Sequence, residues 1–285
     1  MNELETTTWA TFFVAAVGVL GLLIGSFLNV VIYRVPAGKS IVSPPSACPS
    51  CGARIRPGDN VPVVSWIALR GRCRNCAAPI SRRYPLVELA TGVLFASVAA
   101  WMLSRSSEST FVAATTLAAF LIELAAFLYF SAIGVALFMI DLDTRRLPNA
   151  IVLPSYVVGA VLLAAAGLVD FRPDQLIGAA IGGAAMFAFY FALAFAYPGG
   201  MGFGDVKLAG VLGLYLGWTG WGALVVGAFA AFLLGGVFSI LIVSLRGAGR
   251  KTAIPFGPWM IAGAFVGIFF GEGIARNYLS FTGLV

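Results

Sequence analysis

The chain contains no histidine among its 285 residues. That absence excludes Ser-His and Cys-His catalysis, HExxH zinc proteases and any His-ligated metal. Charge is scarce as well. Only 11% of residues are Asp, Glu, Lys or Arg, whereas 60% are hydrophobic and the mean hydropathy is +0.96. This balance is that of an all-α polytopic membrane protein rather than a soluble globule. No Gly-x-Gly-x-x-Gly follows a strand-like run, so a Rossmann domain is excluded. No basic residue precedes the first apolar run, only Glu3 and Glu5, and that run is too long for a signal-peptide core. It is expected to remain as a membrane helix. Internal repeats, low-complexity tracts and a nucleic-acid footprint are missing too.

What is present is a series of eight apolar segments, near 9–33, 85–104, 111–140, 151–169, 175–197, 206–219, 221–245 and 255–272. They predict about eight transmembrane helices. The sixth is short and reads as a span only through its polar and Gly-rich flanks. With the N-terminus outside, 15 of the 18 Lys and Arg fall in the connections 34–84, 141–150, 198–207 and 246–254. Those connections are then cytoplasmic by the positive-inside rule, which accounts for the pI near 9.4 without nucleic acid. The expected organisation is a first transmembrane helix (1–33), a cytoplasmic loop domain (34–84) and a larger membrane domain (85–285).

The loop holds all four cysteines. Cys48-Pro-Ser-Cys51 and Cys73-Arg-Asn-Cys76 lie twenty-one residues apart, the spacing of a zinc ribbon with four thiolates around Zn²⁺. Pro49, Gly52, Gly71 and Asn75 suit tight turns around the pairs. Disulfides are the alternative, but a reducing cytoplasm disfavours them. A loop of this size buries little core of its own, so a metal staple makes physical sense.

Two acids stand out against the low charge. Asp141 closes the apolar run FLYFSAIGVALFMI and precedes a turn marked by Pro148. The helix dipole disfavours a carboxylate at such a C-terminus, so helix stability does not account for it. Asp143, one step further into the polar turn, fits an ordinary pairing with Arg145 or Arg146 better. Asp205 ends the stretch Gly-Gly-Met-Gly-Phe-Gly-Asp, and alone it reads as a cap for the following helix. Gly199, Gly200, Gly202 and Gly204 around it leave bare backbone beside which an extended peptide can lie. Both acids fall on the cytoplasmic side. Together they read as an aspartyl protease pair sharing one proton, because like charges about 3 Å apart do not both ionise. The dipoles assign the proton to Asp141 and the charge to Asp205.

Taken in order, these motifs resemble the bacterial prepilin peptidases, the GxGD-type leader peptidases and N-methyltransferases of type IV pilus and type II secretion systems. The resemblance rests on Gly25-Ser-Phe-Leu-Asn29-Val-Val with Arg34-Val-Pro36, the cysteine tetrad, and Arg83-Tyr-Pro-Leu-Val-Glu88-Leu. It continues through Asp141 with Leu147-Pro148-Asn149, and Gly202-Phe-Gly204-Asp205-Val-Lys207. It implies Asp141 and Asp205 as catalytic, with Asp143 a lesser candidate for the first. It also implies cleavage of a basic leader after glycine in prepilins or pseudopilins, then methylation of the new N-terminus by S-adenosylmethionine. In such enzymes the first helix and the loop bear on methyl transfer, which makes Asn29, Arg34 and Glu88 candidates for binding that cofactor. Their plain readings are helix packing, interfacial anchoring and pairing with Arg83. The implied location is the bacterial inner membrane.

Three other readings compete. A preflagellin-type peptidase would lack methyl transfer, and the long Cys-bearing loop argues against it. A transporter would carry its acids near the bilayer midplane rather than at segment ends. A scaffold would use Asp205 only as a cap. Within the helices, Gly178/Gly182, Gly213/Gly217 and Gly263/Gly267/Gly271 have the spacing of close helix packing. Glu123 is expected to bond across helices as a protonated acid or to face water.

Overall fold

The computed structural model describes residues 3–106, 110, 113–197, 200–246 and 255–283. Gly199 and most of the connection 246–254 used in the sequence reading lie outside them, as do the side chains of Glu3 and Glu5. Among the described residues the regular structure is helical, with two isolated β-bridges and no named strand. The helices are α1 (Glu3–Arg34), α2 (Val64–Ala68), α3 (Arg83–Arg105), α4 (Ala114–Thr144), α5 (Asn149–Val169) and α6 (Pro173–Ala196). They continue with α7 (Phe203–Thr219), α8 (Trp221–Arg246), α9 (Gly257–Val266) and α10 (Glu272–Phe281). A π turn, Gly267–Gly271, joins the last two.

Among the described residues, seven stretches are long and apolar enough to cross a membrane, with α9, the π turn and α10 counting as one. The eighth expected span, α7, has only 17 residues, 12 of them buried. It behaves as a core helix whose whole circumference is packed, so its hydrophobicity serves protein contacts.

The chain divides into two compact units. The first comprises Met1–Ser107 with Leu128–Ala136. In it, α1 lies against α3 along Gly18, Gly21 and Gly25. A Cβ on Gly21 would stand 2.7 Å from the Phe95 Cβ, and one on Gly25 would stand 2.7 Å from the Glu88 Cα. The glycine stripe therefore sets the close approach that fixes Glu88. Between the two helices, the loop carries two matching knuckles and the short α2.

The second unit comprises Glu108–Phe127 with Leu137–Val285. Its centre is α6 against α7, where Gly178 faces Gly217 and Gly182 faces Gly213, carbonyl to backbone. Gly263, Gly267 and Gly271 likewise meet the backbone of α8. Glu123 lies here in an ionic network. It accepts from Arg172 Nη1 at 2.8 Å and from Trp218 Nε1 at 2.9 Å, and Arg172 also pairs with Asp170 at 2.6 Å. Glu123 thus bonds across helices to Trp218 of α7 and also meets a cation, Arg172. Its cation lies in the turn between α5 and α6, where the apolar pattern gives no hint of it.

Candidate active site and cysteine centre

Asp141 occupies the last turn of α4, which ends at Thr144 with Arg145 in the left-handed conformation (φ 53°). Extended Pro148 then opens α5. Asp141 is 4% exposed, whereas Asp143, two residues on, is exposed to solvent. Burial therefore separates the two candidates and favours Asp141.

Asp205 is the third residue of α7, whose N-cap is Gly202. Its carboxylate accepts the Gly202 N–H while its own N–H donates to the Gly202 carbonyl at 3.0 Å. This is the acidic half of a capping box, so Asp205 does cap its helix. Capping does not use up the carboxylate, which has acceptor sites to spare.

The turn after Asp141 ties the two acids together. Leu147 packs over Gly204, where a Cβ would lie 3.2 Å from the Leu147 Cβ. Asn149 Oδ1 accepts from Lys207 Nζ at 3.0 Å, and the Lys207 carbonyl accepts the Tyr156 hydroxyl at 2.6 Å. The Leu-Pro-Asn turn and the Gly-x-Gly-Asp turn are therefore clamped side by side. The charges of Asp141 and Asp205 act on one another.

Gly257, the first residue of α9, was not singled out in the sequence. Its N–H donates to the Asp141 carboxylate. A Cβ there would lie 2.7 Å from Asp141 Oδ2 and 3.4 Å from Leu147 Cδ2. Asp141 thus ends one helix but also faces the start of another, and the second dipole offsets the first. Both acids meet a helix N-terminus, so dipoles do not assign the shared proton. That part of the sequence reading loses its basis. The only sequence signal for Gly257 is its place in Pro-Phe-Gly-Pro-Trp, a helix start.

Tyr190 was missed as well. It is fully buried, and its hydroxyl has no hydrogen-bond partner among the described residues. Its ring stacks on Phe232 at 5.6 Å and leans on Phe256 at 6.3 Å, and the charge of Asp205 reaches it. A tyrosine inside an apolar run carries no signal that distinguishes it from core.

In the first unit, the four cysteines come together with every pair of sulfurs within 4.8 Å. Cys48 and Cys76 Sγ are 3.8 Å apart. Thiolates 2.3 Å from a tetrahedral ion stand about 3.8 Å from one another, so the cluster has room for one metal. Each knuckle is built alike. Cys48 N–H donates to Ala53 O at 2.9 Å and Cys73 N–H to Ala78 O at 2.8 Å. The residue after each second cysteine is left-handed, Gly52 at φ 70° and Ala77 at φ 57°. The N–H groups of Cys51 and Ser50 point at the Cys48 sulfur and draw its thiol down to about 6.

Of the three cofactor candidates, Asn29 donates to Tyr84 O at 3.2 Å. Arg34 donates to Ser40 O at 3.0 Å and Pro44 O at 2.7 Å, so both fasten the root of the loop. Glu88 instead accepts the Val63 N–H at 2.7 Å and lines a cavity. The structure does not gather the three around one point.

Residues 19–103 match the bacterial peptidase A24 N-terminal domain, and residues 128–240 match the type IV leader peptidase family. The chain is similar to the prepilin leader peptidase/N-methyltransferase of Pseudomonas aeruginosa, at 35% identity over 95% of each chain. That of Stutzerimonas stutzeri is 35% identical over 95% of this chain and 96% of its own. The Aeromonas hydrophila protein of the same name is 35% identical over 95% of both. No solved structure matches.

Proposed function

The chain belongs to the type IV leader peptidase family, and from that premise we propose that it is a prepilin peptidase of the bacterial inner membrane. It removes the leader of type IV prepilins or type II secretion pseudopilins after glycine, and then methylates the new N-terminal amine. The observation that carries this reading is the clamped pair of carboxylates, Asp141 and Asp205, each tethered by the N–H of a glycine at a helix start.

In the cleavage step, the ionised member of the pair takes a proton from the attacking water. The protonated member donates to the scissile carbonyl oxygen as the tetrahedral intermediate forms. The N–H groups of Gly202 and Gly257 fix each carboxylate in direction. Gly202, exposed beside Asp205, leaves its backbone open to an extended substrate. In methyl transfer, the neutral α-amine of the cut substrate forms the new N–C bond as the S–CH₃ bond of S-adenosylmethionine breaks. S-adenosylhomocysteine leaves, and the amine sheds a proton.

Cys48, Cys51, Cys73 and Cys76 hold a structural Zn²⁺ that folds the 34–84 domain and takes no part in either step. The distribution of basic residues supports a cytoplasmic position for this loop and for both acids. The helices from 85 onward then form the peptidase domain.

The test is mass spectrometry of a model prepilin incubated with purified enzyme, with and without S-adenosylmethionine. Wild type is expected to release the leader and to add one methyl group. Asp141→Asn and Asp205→Asn are each expected to abolish cleavage. Asn at 205 keeps an oxygen that can accept the Gly202 N–H, and an unchanged thermal midpoint marks the loss as chemical. Full cleavage by both variants would return the protein to a transport or scaffold role, and cleavage without methylation would leave a peptidase alone.

A further inference from the structure

Packing in the second unit brings one more polar group to the acids. Gly178 faces Gly217 and Gly182 faces Gly213 across α6 and α7. Four residues forward on one helix therefore match four residues back on the other. Two further steps of this register set Tyr190 of α6 opposite Asp205 of α7. The electrostatics agree, since the charge of the Asp205 carboxylate reaches the Tyr190 phenol.

Aromatic rings wall Tyr190 on its other sides. Phe232 stacks on it at 5.6 Å, Phe256 leans on it at 6.3 Å, and those two rings meet each other at 5.3 Å. Phe256 directly precedes Gly257, whose N–H holds Asp141. Tyr190 thus touches the start of the helix that anchors one acid while its register faces the other.

Packing alone asks only for phenylalanine at this position. The Tyr190 side chain is fully buried, and its hydroxyl has no hydrogen-bond partner among the described residues. A buried hydroxyl without a partner carries a cost that a phenyl ring would not. Catalytic hydrogen bonds are often long in the substrate-free enzyme and tighten only in the complex. The acceptor that this hydroxyl faces is Asp205.

We propose that Tyr190 is a positioning residue for leader cleavage, its hydroxyl donating to the Asp205 carboxylate when substrate occupies the site. This role rests on the reading of the chain as an aspartyl peptidase. A hydroxyl donor favours the ionised form of the carboxylate it meets. It therefore makes Asp205 the base and leaves the shared proton on Asp141, a choice that the two helix starts leave open. The other titratable groups around Asp205 are engaged elsewhere or exposed. Lys207 is bonded to Asn149, and the Tyr156 hydroxyl to the Lys207 carbonyl. Asp143, Arg145, Arg146 and Tyr197 are exposed to solvent. Neither α9 nor the described side chains of α8 bring any.

The experiment follows leader cleavage of a model prepilin by the full-length enzyme across pH, for wild type and Tyr190→Phe. The variant is expected to lower kcat about ten-fold with KM nearly unchanged, and to move the acid limb of the rate profile up by about one pH unit. The limb belongs to the pair, and it rises because the charged form has lost a donor. The thermal midpoint is expected to hold or to rise, since an unpartnered hydroxyl leaves the core. Ring-fluorinated tyrosine at position 190, a stronger donor of nearly the same size, is expected to move the limb the other way. It decides the matter should Tyr190→Phe fail to fold. An unchanged profile in either folded variant overturns the role, and so does a slower rate whose acid limb stays in place. A wild type that cleaves nothing would instead remove the peptidase reading beneath it.

Discussion

A methyl group on residue 257 would stand 2.7 Å from Asp141 Oδ2, closer than any real contact allows. Either the acid rotates away or α9 retreats with its N–H donor. Gly257→Ala is therefore expected to slow leader cleavage on the order of 10²-fold, the usual penalty for shifting a catalytic group by about an ångström. The rate of leader loss by mass spectrometry checks this, and a variant as fast as the parent would show that the donor does not position Asp141. At this scale the acids were legible in the sequence because charge is rare, and a carboxylate closing an apolar run lacks a cheap explanation. Gly257 was not legible. Its role comes from meeting a distant carboxylate, and nothing in Pro-Phe-Gly-Pro-Trp names that partner. For the same reason the dipole argument misled, since it counted the helix that Asp141 ends and missed the one it faces.

The two cysteine knuckles share one hydrogen-bond pattern, yet they differ at the residue after the second cysteine. Gly52 tolerates φ 70°, whereas Ala77 adopts φ 57° with a Cβ in the way. The left-handed conformation costs a non-glycine residue about 1 kcal/mol. Ala77→Gly is expected to tighten the metal site by that amount, about five-fold in zinc retention against a competing chelator. Gly52→Ala should loosen it equally. Stripping the metal should unfold the loop, seen as rapid amide exchange over 46–80, because closed four-Cys sites supply folding energy outright. The cysteine spacing made this element readable in advance. The hold of Glu88 on Val63 was not readable, because that contact crosses from α3 into the loop. The shortness of α7 could be seen in the sequence, but its burial on all sides required its neighbours.

Across the whole molecule, the glycine stripes, the apolar lengths and the distribution of basic residues all describe a multi-pass membrane protein. The seven long spans were legible because bilayer thickness imposes a length on each, whereas the short α7 was counted as an eighth. The pairing of the stripes, Gly178 with Gly217 and Gly182 with Gly213, was not, since spacing shows that a face is smooth and not what it touches. The proposed orientation makes a direct prediction. Trypsin should cut the loop after exposed Arg54 in inside-out vesicles and leave it intact in right-side-out ones. The reverse pattern would invert the topology and place both acids outside.

The Gly257 donor has a consequence for biogenesis as well. The ribosome makes both acids before it makes the residue whose N–H holds Asp141. A nascent chain already inserted through α8 therefore carries the reactive pair without its brace. On the proposed mechanism, cleavage therefore waits until α9 docks and Gly257 meets Asp141.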